Sequence, residues 1–216
     1  MSQSLAFYDL IPWIDTTKRI QIYYQDQMIY QHDVSDNPPT VRLISPNGGE
    51  AFDRDSIEIF WESDDLDNND LTYFVQYSPD NGTNWVSIAA GLRDVNGIHL
   101  EDLSNVAGST QAVFRVTVSD GVHTAMDQSD SVFSIPGTMP QAQIISPSAF
   151  NQYPTNAVVR FMASAMDLED GVIQGEQLTW SSDREGVIGS GENFESQTLS
   201  PGIHTCLLYT SPSPRD

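Results

Sequence analysis

RLISPNGGEAF at residues 42–52 is echoed by QIISPSAFNQY at residues 143–153, with Ile44 and Ile145 standing 101 positions apart. DLDNNDLTY at residues 65–73 is echoed by DLEDGVIQGEQLTW, which begins at residue 167, an offset of 102. A register that holds through two strands means two tandem units of one type, each about 100 residues long and so of ordinary domain size. The second unit carries a slightly longer loop before Leu178-Thr179-Trp180, and PGTMP at residues 136–140 links the two.

Within the units apolar residues recur with period two, which is the pattern of half-buried strands rather than helices. SIEIFWES at residues 56–63 sets Ile57, Ile59 and Trp61 inward against Glu58 and Glu62. LTYFVQYS at residues 71–78 places Leu71, Tyr73, Val75 and Tyr77 on one face. Asp80-Asn81-Gly82 then forms a hairpin turn, because Asn and Gly tolerate positive φ, and WVSIAAGL returns as the partner strand. In QAVFRVTVSDG, Val113, Arg115 and Thr117 face opposite to Phe114, Val116 and Val118, and SDSVFSIP ends the unit at Pro136. Roughly seven strands in about 100 residues is the strand number of an immunoglobulin-like sandwich. The expected fold is therefore all-β: tandem immunoglobulin-like β-sandwiches with Greek-key connections, the first over residues 38–136 and the second over residues 140–205.

Residues 1–37 are not a third copy. RIQIYYQDQMIYQHDVS reads as a hairpin turning near Gln25-Asp26-Gln27, preceded by a short strand around residues 5–10. A lone hairpin is marginal in water, so it is read as the closing strands of an upstream sandwich, or else as an extension packed on the first unit.

Charge narrows the function classes. The net charge is −21, from 30 acidic and 9 basic residues, and Lys18 is the only lysine. Such a surface repels phosphate backbones and anionic membranes, which excludes nucleic acid as a partner class. No apolar run approaches the ~20 residues of a membrane span. MSQSLAFYDLIPW shows no basic stretch followed by an apolar one, so no secretion signal is read there. Cys206 is the only cysteine, which excludes a disulfide framework.

The sharpest candidate site is SDDLDNNDL, where Asp64, Asp65, Asp67 and Asp70 crowd one loop between strands. Calcium takes six to eight hard oxygen ligands, which such a loop supplies. Asp120, ending the strand of VTVSDG, is expected at the same end of the sandwich, with Asp127 and Asp130 following nearby. The second unit repeats the theme with Asp167, Glu169 and Asp170. The spacing is not that of an EF-hand. The competing reading is a solvated Asp/Asn turn held by its own backbone hydrogen bonds. His32, His99, His123 and His204 are scattered without zinc-site spacing, no GxSxG elbow is present, and GSGEN at residues 189–193 does not open a helix after a strand. Trp61 and Trp180 fall on the apolar phase of strands and are expected in cores. Trp85, after the hairpin turn, is the candidate ligand-binding platform, and Trp13 sits near a proline turn.

The pattern of LISPNGGE, IEIFWESDDLDNNDLTYFVQYSPDNGTNW and AVFRVTVSDG resembles bacterial immunoglobulin-like and fibronectin-type-III-like modules of large secreted or surface proteins. ASAMDLEDG, LTWSSDREG and SPGIHT in the second unit look like the related polycystic-kidney-disease-type repeat. The resemblance implies non-catalytic extracellular modules, standing beside catalytic or adhesive domains of a bacterial protein. It implies no cofactor beyond the candidate calcium, and as partners an unknown protein or glycan and the adjacent domains of the same chain. A carbohydrate- or protein-binding adhesive module, and an accessory region of a secreted protease or glycosidase, are the alternatives. In that repeat type GxHT leads through the sixth strand into the last one, whereas here GIHT is followed by CLLYTSPSPRD, with Pro212 and Pro214 where ladder donors are needed. Residues 206–216 can also be written as codons that look like a transposase adapter read in frame. They are expected to be a non-native tail that leaves the second unit truncated.

Overall fold

The computed structural model describes residue 10, residues 12–67 and residues 70–210; the strand expected around residues 5–10 falls largely outside them. Strands β1 (Arg19–Tyr24) and β2 (Gln27–Asp33) make an antiparallel hairpin that forms its own two-stranded sheet. Its turn residues Gln25 and Asp26 have φ of 46° and 62°. Two successive positive φ values match the right-handed twist of the flanking strands, which is why a two-residue connection closes here without glycine.

The first module comprises two facing sheets. One holds β3 (Thr40–Ser45), β4 (Ile57–Asp64) and β7 (Gly97–Leu100), in the order β3-β4-β7. The other holds β5 (Thr72–Ser78), β6 (Val86–Arg93), β8 (Ser109–Ser119), β9 (Thr124–Gln128) and β10 (Phe133–Ile135). Its order is β10-β8-β5-β6, and β9 is also paired to β8. Successive strands cross between the sheets, from β4 to β5 and from β7 to β8, and all ladders within each sheet are antiparallel. That arrangement is an immunoglobulin-like sandwich. A parallel bridge between Ala51 and Ser134 ties the chain after β3 to β10.

Period-two alternation built this core as expected. Ile57, Ile59 and Trp61 are buried while Glu58 and Glu62 face solvent; Tyr73, Val75 and Tyr77 meet Phe114, Val116 and Val118 from the neighbouring strand. Trp61 and Tyr73 rings lie 5.3 Å apart, Tyr77 and Phe114 5.3 Å, and Phe114 stacks on Phe133 at 5.2 Å. Buried aromatic pairs of this kind add about 0.5–1.5 kcal/mol each beyond their burial. The turn after β5 also forms where expected, with Asn81 at φ 52° and Gly82 at φ 84°.

The second module repeats the plan with a smaller core. β11 (Gln141–Ser146), β12 (Val159–Asp167) and β16 (Asn193–Ser196) take the places of β3, β4 and β7, with the short β13 (Gly171–Ile173) added on β12. β14 (Leu178–Ser182), β15 (Gly186–Ser190) and β17 (Cys206–Thr210) form the opposing sheet, in the order β15-β14-β17. Phe161 stacks on Phe194 at 4.7 Å and meets Trp180 edge-on at 5.3 Å. A second cluster of Ala165, Ile173 and Leu178 is joined to this one through half-buried Leu208.

The strands of the second module continue past the boundary expected at residue 205. Cys206–Thr210 is a strand within the second sheet, with Leu208 opposite Trp180 and Cys206 opposite Ser182. CLLYT alternates half-buried Cys206, Leu208 and Thr210 with exposed Leu207 and Tyr209, so its own period suits a strand laid over this core. Pro212 and Pro214 lie beyond it, outside the described residues. Among the described residues β17 is laddered only to β14.

Candidate functional site: the acidic loop end of each module

In the first module β4 ends at Asp64 and the chain turns through Asp65-Leu66-Asp67 toward β5. Asp65 is 8% exposed, and its Oδ1 accepts the Asp67 N–H at 2.9 Å, an Asx turn that fixes the direction of residue 67. Asp67 then reaches across to the segment entering the module. Its Oδ2 accepts the backbone N–H of Asn37 at 2.8 Å and its Oδ1 accepts Asn37 Nδ2 at 3.0 Å. Those two bonds hold the Asp67 carboxyl below the usual carboxylate range.

Asp120 does sit at the same end, as expected. It is buried, and its Oδ1 accepts the N–H groups of Val122 at 2.8 Å and His123 at 2.6 Å, closing the turn between β8 and β9. Its Oδ2 accepts Ser35 Oγ at 2.5 Å and lies 3.2 Å from His123 Nδ1. Burial pushes the Asp120 carboxyl up, yet these donors together bring it below its ordinary value. Asp120 and Asp67 are close enough for their charges to oppose one another. Asp127 and Asp130 are engaged elsewhere, accepting from Leu43 N–H at 2.8 Å and Asn47 Nδ2 at 2.7 Å. Ser35, Asn37 and His123, which complete this end, carry no local sequence signal.

The second module repeats the first step closely. Asp167 is 2% exposed, and its Oδ1 accepts the N–H groups of Glu169 and Asp170, both at 2.9 Å. Its Oδ2 is buried, meets no hydroxyl or N–H donor among the described residues, and interacts instead with the Glu169 carboxyl beside it. Glu169 Oε1 accepts the Thr138 N–H at 3.0 Å, and Oε2 accepts Thr138 Oγ1 at 2.6 Å. Oε1 also accepts the N–H of Gly108, from the loop between β7 and β8 of the first module, at 2.6 Å. Burial pushes the Glu169 carboxyl up, but the Thr138 hydroxyl and the two N–H groups outweigh it, and the net direction is down.

Asp64 and Asp70 stay exposed and line an open cleft of about 340 Å³ with Ser63, Asp65, Leu71, Tyr73 and Asp94. Asp170 is exposed as well. Among the described residues no group of three or more His, Cys, Asp or Glu side chains is gathered in a metal-holding arrangement. Trp85 is half-buried: its Nε1 donates to Gly82 O at 3.0 Å, and the Arg115 guanidinium lies 4.0 Å over its ring. Gln76 Oε1 anchors that guanidinium at 2.7 and 3.1 Å. Trp13 is half-exposed with its ring edge-on to His123 at 6.4 Å. Among the described residues no helix is long and apolar enough to cross a membrane.

No protein-family model and no curated protein matches the chain. Among solved structures it is similar to the N-terminal four immunoglobulin domains of Dscam1 isoform 6.9, at 9% identity and a TM-score of 0.40 over 84% of this chain and 44% of that one. It is also similar to the FN1–FN3 domains of chicken CNTN1, at 14% identity and a TM-score of 0.34 over 84% of this chain and 58% of that one. A third likeness is to β-glucuronidase 3 of Bacteroides uniformis, at 12% identity and a TM-score of 0.23 over 81% of this chain and 22% of that one. The chain thus spans under half the length of the Dscam1 chain. The fold class itself rests on strand order: two tandem immunoglobulin-like sandwiches, preceded by a hairpin.

Proposed function

We propose that the chain is a pair of non-catalytic immunoglobulin-like modules that space and present neighbouring domains of a larger secreted or cell-surface protein. The observation that supports this reading most is the employment of the candidate groups. Asp67, Asp120 and Glu169 accept from segments far away in the chain, and Trp85 covers an arginine, so each holds the fold in place. A net charge of −21 keeps such a β-rich chain soluble outside the cell. The single cysteine leaves a cytosolic and a bacterial extracellular setting equally open, so the extracellular reading rests on the fold and the charge.

Calcium is the second element of the reading, favoured by the buried Asp167 Oδ2, an oxygen that a hard cation would satisfy. Thermal unfolding of the full chain in EDTA and then in millimolar calcium, with Asp120→Ala alongside, tests it. A rise of several degrees that the substitution removes assigns a cation to the first loop end; a rise that survives it points to the second. An unchanged midpoint takes calcium out of the account. A glycan array tests the spacer role: saturable binding abolished by Trp85→Ala would make the chain a carbohydrate-binding module instead.

A further inference from the structure

The two acidic loops do the same thing to different partners. In Asp65-Leu66-Asp67 and Asp167-Leu168-Glu169 the first carboxylate is buried and accepts the N–H of the third residue. The third carboxylate then accepts the backbone N–H of a residue in the segment that enters that module, Asn37 in one case and Thr138 in the other. The acceptors are 102 positions apart and the donors 101, so the contact recurs with the repeat itself. In each case the entering residue adds a second bond from its side chain, Nδ2 of Asn37 or Oγ1 of Thr138. We propose that each D-L-(D/E) loop is a binding site for the peptide that enters its module, and that the third carboxylate sets the direction in which the preceding part of the chain leaves.

The chemistry suits that task. A carboxylate accepting a backbone N–H and a side-chain donor makes a two-point, charge-assisted contact that fixes orientation as well as distance. The backbone donor is present in any residue but proline, so the site tolerates sequence change in the linker. Prolines follow both donors, Pro38 after Asn37 and Pro140 two residues after Thr138, and they offer no competing N–H. The longer glutamate side chain reaches further than the aspartate: Glu169 also takes the Gly108 N–H of the first module, so the second loop joins linker and both modules through one group. Gly108 is fitted to this junction, because a Cβ there would stand 2.2 Å from Pro136 O and 2.6 Å from Gly137 Cα. Arg54 steadies the same place, donating to Pro136 O at 2.5 Å and to Val106 O at 2.8 Å. All of these partners belong to the protein, so the contact needs no bound ion and does not rest on the spacer reading.

Residue-resolved amide hydrogen exchange of the full chain in EDTA at neutral pH tests the proposal. Glu169→Ala should speed exchange at Gly108 and Thr138 at least tenfold, leaving Asn37 and the core amides of Val116 and Phe161 unchanged. Asp67→Ala should do the reverse, releasing Asn37 alone. Unchanged protection at Thr138 and Gly108 in folded Glu169→Ala would overturn the proposal. Should that variant lose its core protection, Thr138→Pro reads the same contact from the linker, outside both cores. It removes both Thr138 donors, so Glu169 is held less firmly and exchange at Gly108 should speed up, and unchanged exchange at Gly108 would equally overturn the proposal.

Discussion

Asp67 and Glu169 show how a residue type that suggests a metal can serve a different end. The Asn37 amide and N–H hold the Asp67 carboxyl low, and at Glu169 the Thr138 and Gly108 donors outweigh burial. Both folded-state values lie below the unfolded ones, roughly 3.9 for Asp and 4.3 for Glu. Their contribution is therefore present above those values and is lost as pH falls through the depressed ones. The neighbouring groups at the Glu169 junction are the Asp167 carboxyl, the Tyr77 phenol, pushed up by burial, and the Arg54 guanidinium. A carboxyl-carbon titration should place Asp67 and Glu169 below their ordinary midpoints; midpoints at or above them would contradict the bonding described. Trp85 belongs to the same scale. Its ring over Arg115 is a half-exposed cation–π contact of about 0.5–1 kcal/mol. Urea unfolding of Trp85→Ala should show a loss near 1 kcal/mol, and a loss several times larger would make Trp85 a core residue.

At the scale of elements, the two sandwiches differ in what they bury. The first has one continuous core running from Leu43 to Ile135, the second two small clusters bridged by Leu208. Phe161→Ala should cost about 3–5 kcal/mol, as deletion of a buried ring does, and should unfold the second module while near-ultraviolet signals of Trp61 persist. Limited proteolysis should cut the second module first; first cuts within residues 57–135 would contradict this ordering. The strands were legible in the sequence because period two is a local property, and β4, β5 and β8 face as their alternation says. The Gln25-Asp26 turn was legible for the same reason. β17 was not: the prolines beyond it weighed more than the alternation of CLLYT, although a strand of five residues needs only its own period and a ladder partner. The clamps were not legible either. Asn37 and Asp67 are 30 residues apart, Ser35 and Asp120 are 85 apart, and no periodicity connects such pairs. What the sequence did show was the density of carboxylates, which is as consistent with a metal as with backbone donors.

For the whole molecule, the proposal is that these contacts hold two sandwiches on a short linker in one orientation. Domains joined by a few residues move independently by default unless their interface is large. Here a small interface is made directional by Glu169 on Gly108 and Thr138, and by Arg54 on the linker carbonyl. Gly108→Ala should loosen the junction through its clash with Pro136, while each module keeps its own unfolding midpoint. The β1–β2 hairpin is attached at the other end through Ser35 and Asn37, so the same logic orients whatever precedes the first module. The most direct measurement is ¹⁵N relaxation of the full chain in EDTA near pH 7, giving a rotational correlation time for each module. The account predicts that both modules tumble with one shared, anisotropic diffusion tensor, and that Glu169→Ala separates them. Two independent correlation times in the unaltered chain, or a shared one that appears only on adding calcium, would contradict it.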